Sequence, residues 1–329
     1  MKKRIEELDV CKGLGMILVI LGHMLLLGDI KTWVLSFYMP MFVVVSGVLF
    51  KPKPLKNHFM SIMAPYYLLG LLCILIYDGI VQRALLKNDL ISLAMGCNAT
   101  QYIVYAAAPL WFLSMLFVLR CVYEILNKYI KQMWLLTLAV LALCAVGCCM
   151  AYRRAAFAGV YNIDIALVML PFFHVGRLAG KNMISGISGW KWWQLSGMTA
   201  ALGAASYYMA GVNGGYDLFI VGIGGNPVLF YITALLGTGF MLSLSSMLSK
   251  AICVKQALTA IGKRTLYLLP VHYPMTLIVN SLNERYSPGT VYSILEFAIV
   301  LCVSLAVSRL IECAVDIINT RLRSAPSAN

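Results

Sequence analysis

The sequence predicts an all-α polytopic membrane protein of about ten transmembrane helices, with both termini cytoplasmic. Three observations predict it. Of the 329 residues, 61% are hydrophobic and only 12% charged, and the mean hydropathy is +0.84, far from the mixed composition of a water-soluble domain. The apolar residues gather in runs of roughly 20, the length that spans a bilayer as a helix. The 26 Lys and Arg residues form short clusters between those runs, most of them on alternate connections.

Along the chain the runs fall at approximately 10–28, 34–50, 59–80, 109–127, 133–151, 162–180, 194–211, 227–248, 258–282 and 290–312. The first follows "MKKR" as a signal anchor would, but "GHMLLLGDI" offers no small-x-small cleavage site, so the helix is read as uncleaved. The second, "SFYMPMFVVVSGVLF", holds Pro40 and then Ser46-Gly47, residues that bend a membrane helix or let backbones approach closely. The third follows the basic cluster Lys51, Lys53 and Lys56. The fourth, "APLWFLSMLFVLR", opens with Pro109 and Trp111-Phe112, an interfacial aromatic pair, and Arg120 and Glu124 further along read as an i, i+4 ion pair. The sixth, "MLPFFHVGRLAGK", carries His174 and Arg177 on one face.

Between the seventh and eighth runs, "GVNGGYDLFIVGIGGNP" is glycine-rich but lacks the strand-glycine-helix context of a phosphate cradle. The ninth, "IGKRTLYLLPVHYPM", contains Lys263, Arg264, Pro270, His272 and Pro274. Its two prolines allow a break that would turn His272 toward an internal cavity. Residues 1–312 form one transmembrane domain and 313–329 a short cytoplasmic tail, whose "SAPSAN" end is expected to be disordered.

An N-terminus inside gives the cytoplasmic segments Lys2, Lys3, Arg4, Lys51, Lys53, Lys56, Lys128, Lys131, Arg177, Lys181, Lys191, Lys250, Lys255, Lys263, Arg264, Arg321 and Arg323. The outer loops keep Lys31, Arg83, Lys87, Arg153, Arg154 and Arg285. The net charge of +13 is therefore an orientation signal, and no nucleic-acid partner is inferred from it. The ten cysteines contain no CxxC or Cys/His metal spacing. Cys97 stands alone in an outer loop, and Cys144 and Cys148 read as small buried hydrophobes. No disulfide and no metal site are expected.

A titratable side chain in hydrocarbon costs on the order of 3 kcal/mol, so each one asks for an account. Lys12 and His23 lie eleven residues apart in "LDVCKGLGMILVILGH". On a helix that is about 1100°, within ~20° of three full turns, and about 16 Å of rise. The two therefore share one face. A histidine there can hydrogen-bond a neighbouring helix and do nothing else, and Arg177 can simply snorkel. Asp164 and Asn226, at outer helix starts, read as N-caps. Together, cations at the inner ends of several spans and a histidine on the outer side of the first suit an anionic cytoplasmic donor whose reactive end reaches deep into the membrane. A neutral imidazole is the natural base for a hydroxyl arriving from the other side.

The segments "LDVCKGLGMILVILGH", "FYMPMFVVVSGVLF", "PLWFLSMLF", "PFFHVGRLAGK" and "IGKRTLYLLPVHYP", in that order, resemble the acyltransferase family 3 membrane proteins, especially the stand-alone fucose 4-O-acetylase-like branch. The resemblance runs from residue 4 to about 310. It implies an integral-membrane O-acetyltransferase that takes an acyl group, usually acetyl, from acyl-CoA in the cytoplasm and delivers it to a hydroxyl of a cell-surface or secreted glycan. No bound cofactor is implied; acyl-CoA is a co-substrate. The partners implied are acyl-CoA, a hydroxyl-bearing cell-envelope acceptor and the bilayer, with room for a homo-oligomer.

The family's basic residue and essential histidine fall on Lys12 and His23, its Ser-Gly on Ser46-Gly47 and its fourth-span Trp on Trp111. Where the family usually has arginine, Lys12 offers a compact ammonium without bidentate phosphate geometry. The resemblance makes His23 the catalytic residue, as base or as acyl carrier. For an acyl-CoA donor, the cations at the cytoplasmic ends of the spans, Lys12, Arg177, Lys263 and Arg264, are the candidate binding residues. Asp9, Ser46, Gly47, Trp111, Asp164 and His272 become supporting or acceptor-side residues. Two rival readings use the same residues: a transporter or flippase for a polar or lipid-linked solute, and a catalytically silent membrane ligand sensor.

Overall fold

The computed structural model describes residues 5–24, 27–75, 87–96, 107–153, 159–218, 222–283 and 290–324. Within them the chain is almost wholly helical, as a backbone in hydrocarbon must be when no water is present to satisfy it. Helix α1 (Glu6–Met24) has three carboxylates in its first turn, where the helix dipole favours negative charge. Helix α2 (Gly28–Val48) passes through Pro40. Helix α3 (Leu55–His58) continues through a π-helical stretch, Phe59–Met63, into α4 (Ala64–Cys73). The short α5 (Lys87–Met95) precedes a 3₁₀ turn at Ala108–Leu110 that leads into α6 (Trp111–Tyr129).

Helix α7 (Met133–Tyr152) is followed by α8 (Ile163–Ser188), which kinks at Gly180, and by α9 (Trp192–Asn213). A two-stranded antiparallel hairpin, β1 (Tyr216–Asp217) and β2 (Gly222–Ile223), occupies the glycine-rich connection. Helix α10 (Pro227–Leu248) starts on Asn226, whose side chain accepts from the Val228 and Leu229 amides. That is the expected N-cap, with Pro at the position that needs no amide donor. Helices α11 (Ile252–Lys263), α12 (Thr265–Asn283) and α13 (Thr290–Ser324) complete the chain.

Among the described residues, six helices are long and apolar enough to cross a membrane, at Gly28–Val48, Ala108–Tyr129, Met133–Tyr152, Val160–Asn182, Pro227–Leu248 and Ile294–Val315. The protein is an all-α polytopic membrane protein. Four of the ten expected runs fall outside that set: α1 carries several charges, α9 is diluted by Gly, Ser and Tyr, α12 contributes only a shorter apolar helix, and residues 76–80 of the third run lie outside the described residues. Three boundaries differ from expectation. The ninth run divides at Arg264 into an amphipathic α11 and a separate α12, and α12 runs through Pro270 and Pro274 without a break there. Helix α13 continues to Ser324, past residue 312. Asp164 lies inside the first turn of α8, accepting from the Ile165 amide, so the N-cap position belongs to Asn162. Cys97, Arg83, Arg154, Arg285 and the final SAPSAN residues after Ser324 lie outside the described residues.

Two reciprocal glycine contacts set the central packing. On the α2 and α8 pair, a β-carbon at Gly47 would strike the Phe173 carbonyl and one at Gly176 would strike the Val44 carbonyl. On α1 and α11, Gly13 abuts the Leu258 carbonyl and Gly262 the Asp9 carbonyl. Backbones this close are possible only because neither partner has a side chain in the way. Lys255 of α11 also pairs with Glu6 of α1. That contact holds the Glu6 carboxyl below the ordinary carboxylate range and lifts the Lys255 ammonium above its own. Around these pairs the largest fully buried side chains include Tyr66, Tyr123, Phe172, Phe173 and Phe230.

Candidate active site

Two cavities of ≈ 230 Å³ each lie chiefly between α1, α2, α6 and α12. Helix α1 contributes to both through one stripe: Lys12 and Met16 line the first, Val19 and His23 the second. The spacings of four, three and four residues keep these side chains on one face of the helix. Helix α2 does the same, with Ser46, Val45 and Phe42 on the first cavity and Lys31, Leu35 and Tyr38 on the second. Met39 of α2 and Leu269 of α12 belong to the walls of both. Both are buried, and they form the partition between the chambers.

The first cavity is cationic. The Lys12 ammonium is 2.7 Å from the Asp9 carboxylate, whose side chain is only 5% exposed. Opposite it, Arg120 of α6 donates from Nε and Nη2 to the Ser46 hydroxyl, at 3.1 and 2.7 Å. Sequence spacing paired Arg120 with Glu124, and the structure corrects this. Glu124 accepts instead from the Lys53 amide and bonds His58 at 3.3 Å. The remainder of the wall is apolar, with Phe112, Leu113, Leu116 and Ile62 among its residues. Two cations thus face a chamber in which Asp9 balances one of them.

The second cavity is lined by His23 with Lys31, Tyr38, Trp111, Leu218 of the hairpin segment and Tyr273, among others. The His23 ring stands edge-on to Tyr273 at 5.0 Å and 5.5 Å from the ring of His272. The chain has four histidines, and their hydrogen bonds separate their roles. His58 faces a carboxylate. His174 is held at both nitrogens, 2.9 Å from the Tyr123 hydroxyl and 2.9 Å from Thr137. Because the Thr137 proton goes to the Met133 carbonyl, His174 Nε2 donates and Nδ1 accepts, which is the neutral ring fully satisfied. His272 is buried, with Nδ1 on the Leu268 carbonyl at 3.2 Å. His23 makes no hydrogen bond to a described residue and is open to the cavity. Among the four, it is the imidazole that lines a cavity without a hydrogen bond to a described residue.

The other expected site residues divide clearly. Lys12, Asp9 and Ser46 are assembled at the first cavity, and Trp111 and His272 at or behind the second. Gly47 serves the α2 and α8 contact. Arg177 and Lys263 are exposed and line neither cavity, though each stands near the Lys12 end. The Arg177 backbone lies against Gly47, and Gly262, beside Lys263, lies against Asp9. Arg264 is committed to Glu312 at 2.8 Å. Asp164 is buried at the start of α8 and lines neither cavity. Arg120, Lys31, Tyr38, Thr265 and Tyr273 are polar cavity residues that sequence reasoning did not select as site residues. The signal for Arg120 was its place on the Leu113, Leu116 and Arg120 face, an apolar stripe that a merely interfacial arginine would avoid.

A family model described as an acyltransferase domain matches residues 5–313, nearly the whole chain and every wall of both cavities. None of the curated proteins and none of the solved structures is significantly similar to it. The match and the long apolar helices together make the chain a membrane-embedded member of acyltransferase family 3.

Proposed function

We propose that the protein is an O-acetyltransferase of the cell membrane that moves an acetyl group from cytoplasmic acetyl-CoA to a hydroxyl of an extracytoplasmic glycan. The observation that carries this reading is the pair of cavities sharing Met39 and Leu269, one presenting Lys12 and Arg120 and the other His23. A donor with an anionic body and a neutral reactive tip fits such a sequence of environments. In this reading ten spans place both termini in the cytoplasm, so that the Lys12 chamber faces inward and the His23 chamber outward. Lys12 and Arg120 bind the phosphate-bearing part of CoA, with Arg177 and Lys263 as contacts outside the chamber, and the pantetheine arm carries the thioester past the partition.

His23 then takes the proton of the acceptor hydroxyl as that oxygen attacks the thioester carbonyl carbon. The tetrahedral oxyanion forms beside Tyr38, Trp111 and Tyr273, three donor-bearing side chains of the same cavity. Collapse breaks the carbon–sulfur bond, the thiolate takes the proton back from the His23 imidazolium, and the products are the acetyl ester and CoA-SH. A chamber lined by Tyr38, Trp111 and Tyr273 with one flanking cation suits a sugar, whose ring faces stack on aromatics while its hydroxyls find polar edges.

Full-length protein purified in nanodiscs, assayed for acetyl-CoA binding and for slow acetyl-CoA hydrolysis with water replacing the sugar, tests the proposal. His23→Ala should abolish turnover and leave acetyl-CoA binding and membrane abundance intact. Retained turnover in that variant overturns the catalytic assignment. No binding of acetyl-CoA by folded wild type overturns the donor and favours the transporter or sensor reading.

A further inference from the structure

His272 has a feature that packing alone does not require. It is 0% exposed, and its Nε2 has no hydrogen-bond partner among the described residues. Its Nδ1 meets the Leu268 carbonyl at 3.2 Å. A carbonyl oxygen only accepts, so the ring proton sits on Nδ1 and Nε2 presents a bare lone pair. A buried acceptor without a donor is costly, and a leucine of similar volume would avoid that cost. The aromatic neighbours of this ring are His23, at 5.5 Å between centroids, and Tyr273, at 6.3 Å. Helix α12 thus brings a fixed-tautomer imidazole directly behind the imidazole that opens on the cavity.

We propose that His272 is a positioning residue for His23, an inference that rests on the acetyltransferase reading of the site. Its Nδ1–H is locked to the Leu268 carbonyl, and its Nε2 accepts the N–H of His23. That contact selects one tautomer of His23 and leaves the other His23 nitrogen, on the cavity side, as the base. When His23 takes the acceptor proton, the same lone pair stabilises the imidazolium from behind. No proton passes to His272, and the proton on the cavity-side nitrogen leaves with the thiolate. The arrangement follows the general logic of a base held by a third group, with a neutral ring in the place of a carboxylate. A carboxylate so deep in the membrane would need a counter-charge of its own. The bond is not formed in the resting structure, where His272 Nε2 has no partner among the described residues, and such contacts commonly tighten only when the reacting complex assembles.

The experiment compares wild type, His272→Leu, His272→Gln and His23→Ala in nanodiscs, measuring kcat and KM for acetyl-CoA hydrolysis together with the thermal unfolding midpoint. His272→Leu should lower kcat by on the order of 10- to 100-fold, the usual effect of removing the partner that orients a functional histidine. KM for acetyl-CoA should stay within about twofold, because the donor's charged body binds on the far side of the partition. The unfolding midpoint should hold or rise, since an unsatisfied acceptor has been removed. His272→Gln, whose side-chain carbonyl can accept in place of Nε2, should recover most of the lost kcat. Unchanged kcat in His272→Leu overturns the proposal, as does a kcat loss that tracks a lower midpoint and is not recovered by Gln. If His23→Ala keeps its turnover, the acetyltransferase site itself has been misread, an outcome recognisable apart from failure of the His272 role.

Discussion

Replacing Arg120 by methionine isolates the charge in the Lys12 chamber. The guanidinium is held by two hydrogen bonds to Ser46, at 3.1 and 2.7 Å, and by no ion pair among the described residues. Methionine keeps the apolar stem that packs along α6 and leaves only a serine hydroxyl to rehydrate, so the fold should survive. Lys12→Ala is a poorer probe. Its partner Asp9 is 3% exposed, and stripping one member from a buried pair typically costs about 3–5 kcal/mol. If Arg120 contacts a phosphate of the donor, its loss removes a charge-assisted hydrogen bond of about 1.5–3 kcal/mol, which weakens acetyl-CoA binding about 10- to 150-fold. Calorimetric titration of acetyl-CoA into nanodiscs measures this directly. S-acetylpantetheine, which has the thioester arm but lacks the nucleotide phosphates, is the control. It should lose almost nothing. A change of less than about twofold for acetyl-CoA, or an equal loss for both ligands, refutes the assignment of Arg120 to the anionic part of the donor.

Two further outcomes follow from the packing. Met39→Ala should open the partition and relax acyl-length selectivity. One methylene is worth about 1–3 kcal/mol of discrimination, so the preference for acetyl-CoA over butyryl-CoA should fall by about 10-fold or more. An unchanged ratio of kcat/KM values refutes the partition. Because large-to-small core changes cost about 2–5 kcal/mol, rates should be compared well below the variant's unfolding midpoint. Gly262→Val should lower membrane abundance and the unfolding midpoint sharply. Its β-carbon would lie 2.7 Å from the Asp9 carbonyl carbon and 3.0 Å from the Gly13 nitrogen, and backbone atoms cannot yield as a flexible side chain can. Gly186→Ala, where nothing lies within 4 Å, is the matched control. It should be neutral or mildly stabilising, and similar behaviour of the two glycines refutes the argument.

The helical course of this chain was legible because hydrocarbon imposes a simple rule: each apolar run must satisfy its own backbone. The alignment of Lys12 with His23 was legible for a similar reason, since helical geometry alone puts them on one stripe. What sequence could not supply was pairing between helices. Arg120 and Glu124 have the spacing of an ion pair, yet Ser46 on α2 and His58 on α3 outcompete that arrangement. Arg264 reads from sequence as a donor-binding cation, and its pairing with Glu312 of α13 is visible only in the structure. His174 and His272 look alike in sequence, each a histidine in a span. The Tyr123 and Thr137 hydroxyls satisfy one completely, while the other keeps a bare nitrogen behind the cavity. Such distinctions depend on which residue of a distant helix arrives opposite, and hydropathy carries no record of that.

The division into two chambers bears on why the cation and the base need to be kept apart. In the proposed mechanism, Lys12 and Arg120 placed beside His23 would add to the like charge that Lys31 already brings to that cavity and further disfavour the imidazolium formed during transfer, because like charges in a poorly solvated space repel strongly. Along α1 the Lys12 and His23 positions are separated by about 16 Å of helical rise, and Met39 and Leu269 interrupt the space between them. In the proposed reaction the same two side chains would keep water in the two cavities from joining, and so limit proton leakage and hydrolysis of the thioester. Their identities suit a barrier that an acyl arm can pass. The unbranched methionine changes shape at little cost, while the leucine opposite supplies a fixed wall. Arg120 completes the argument. A half-buried guanidinium whose partner in the described structure is a neutral serine holds a charge that its surroundings do not balance, and an anionic ligand supplies that balance only while bound. In the proposed mechanism, filling of the Lys12 and Arg120 chamber is thereby coupled to the arrival of a donor.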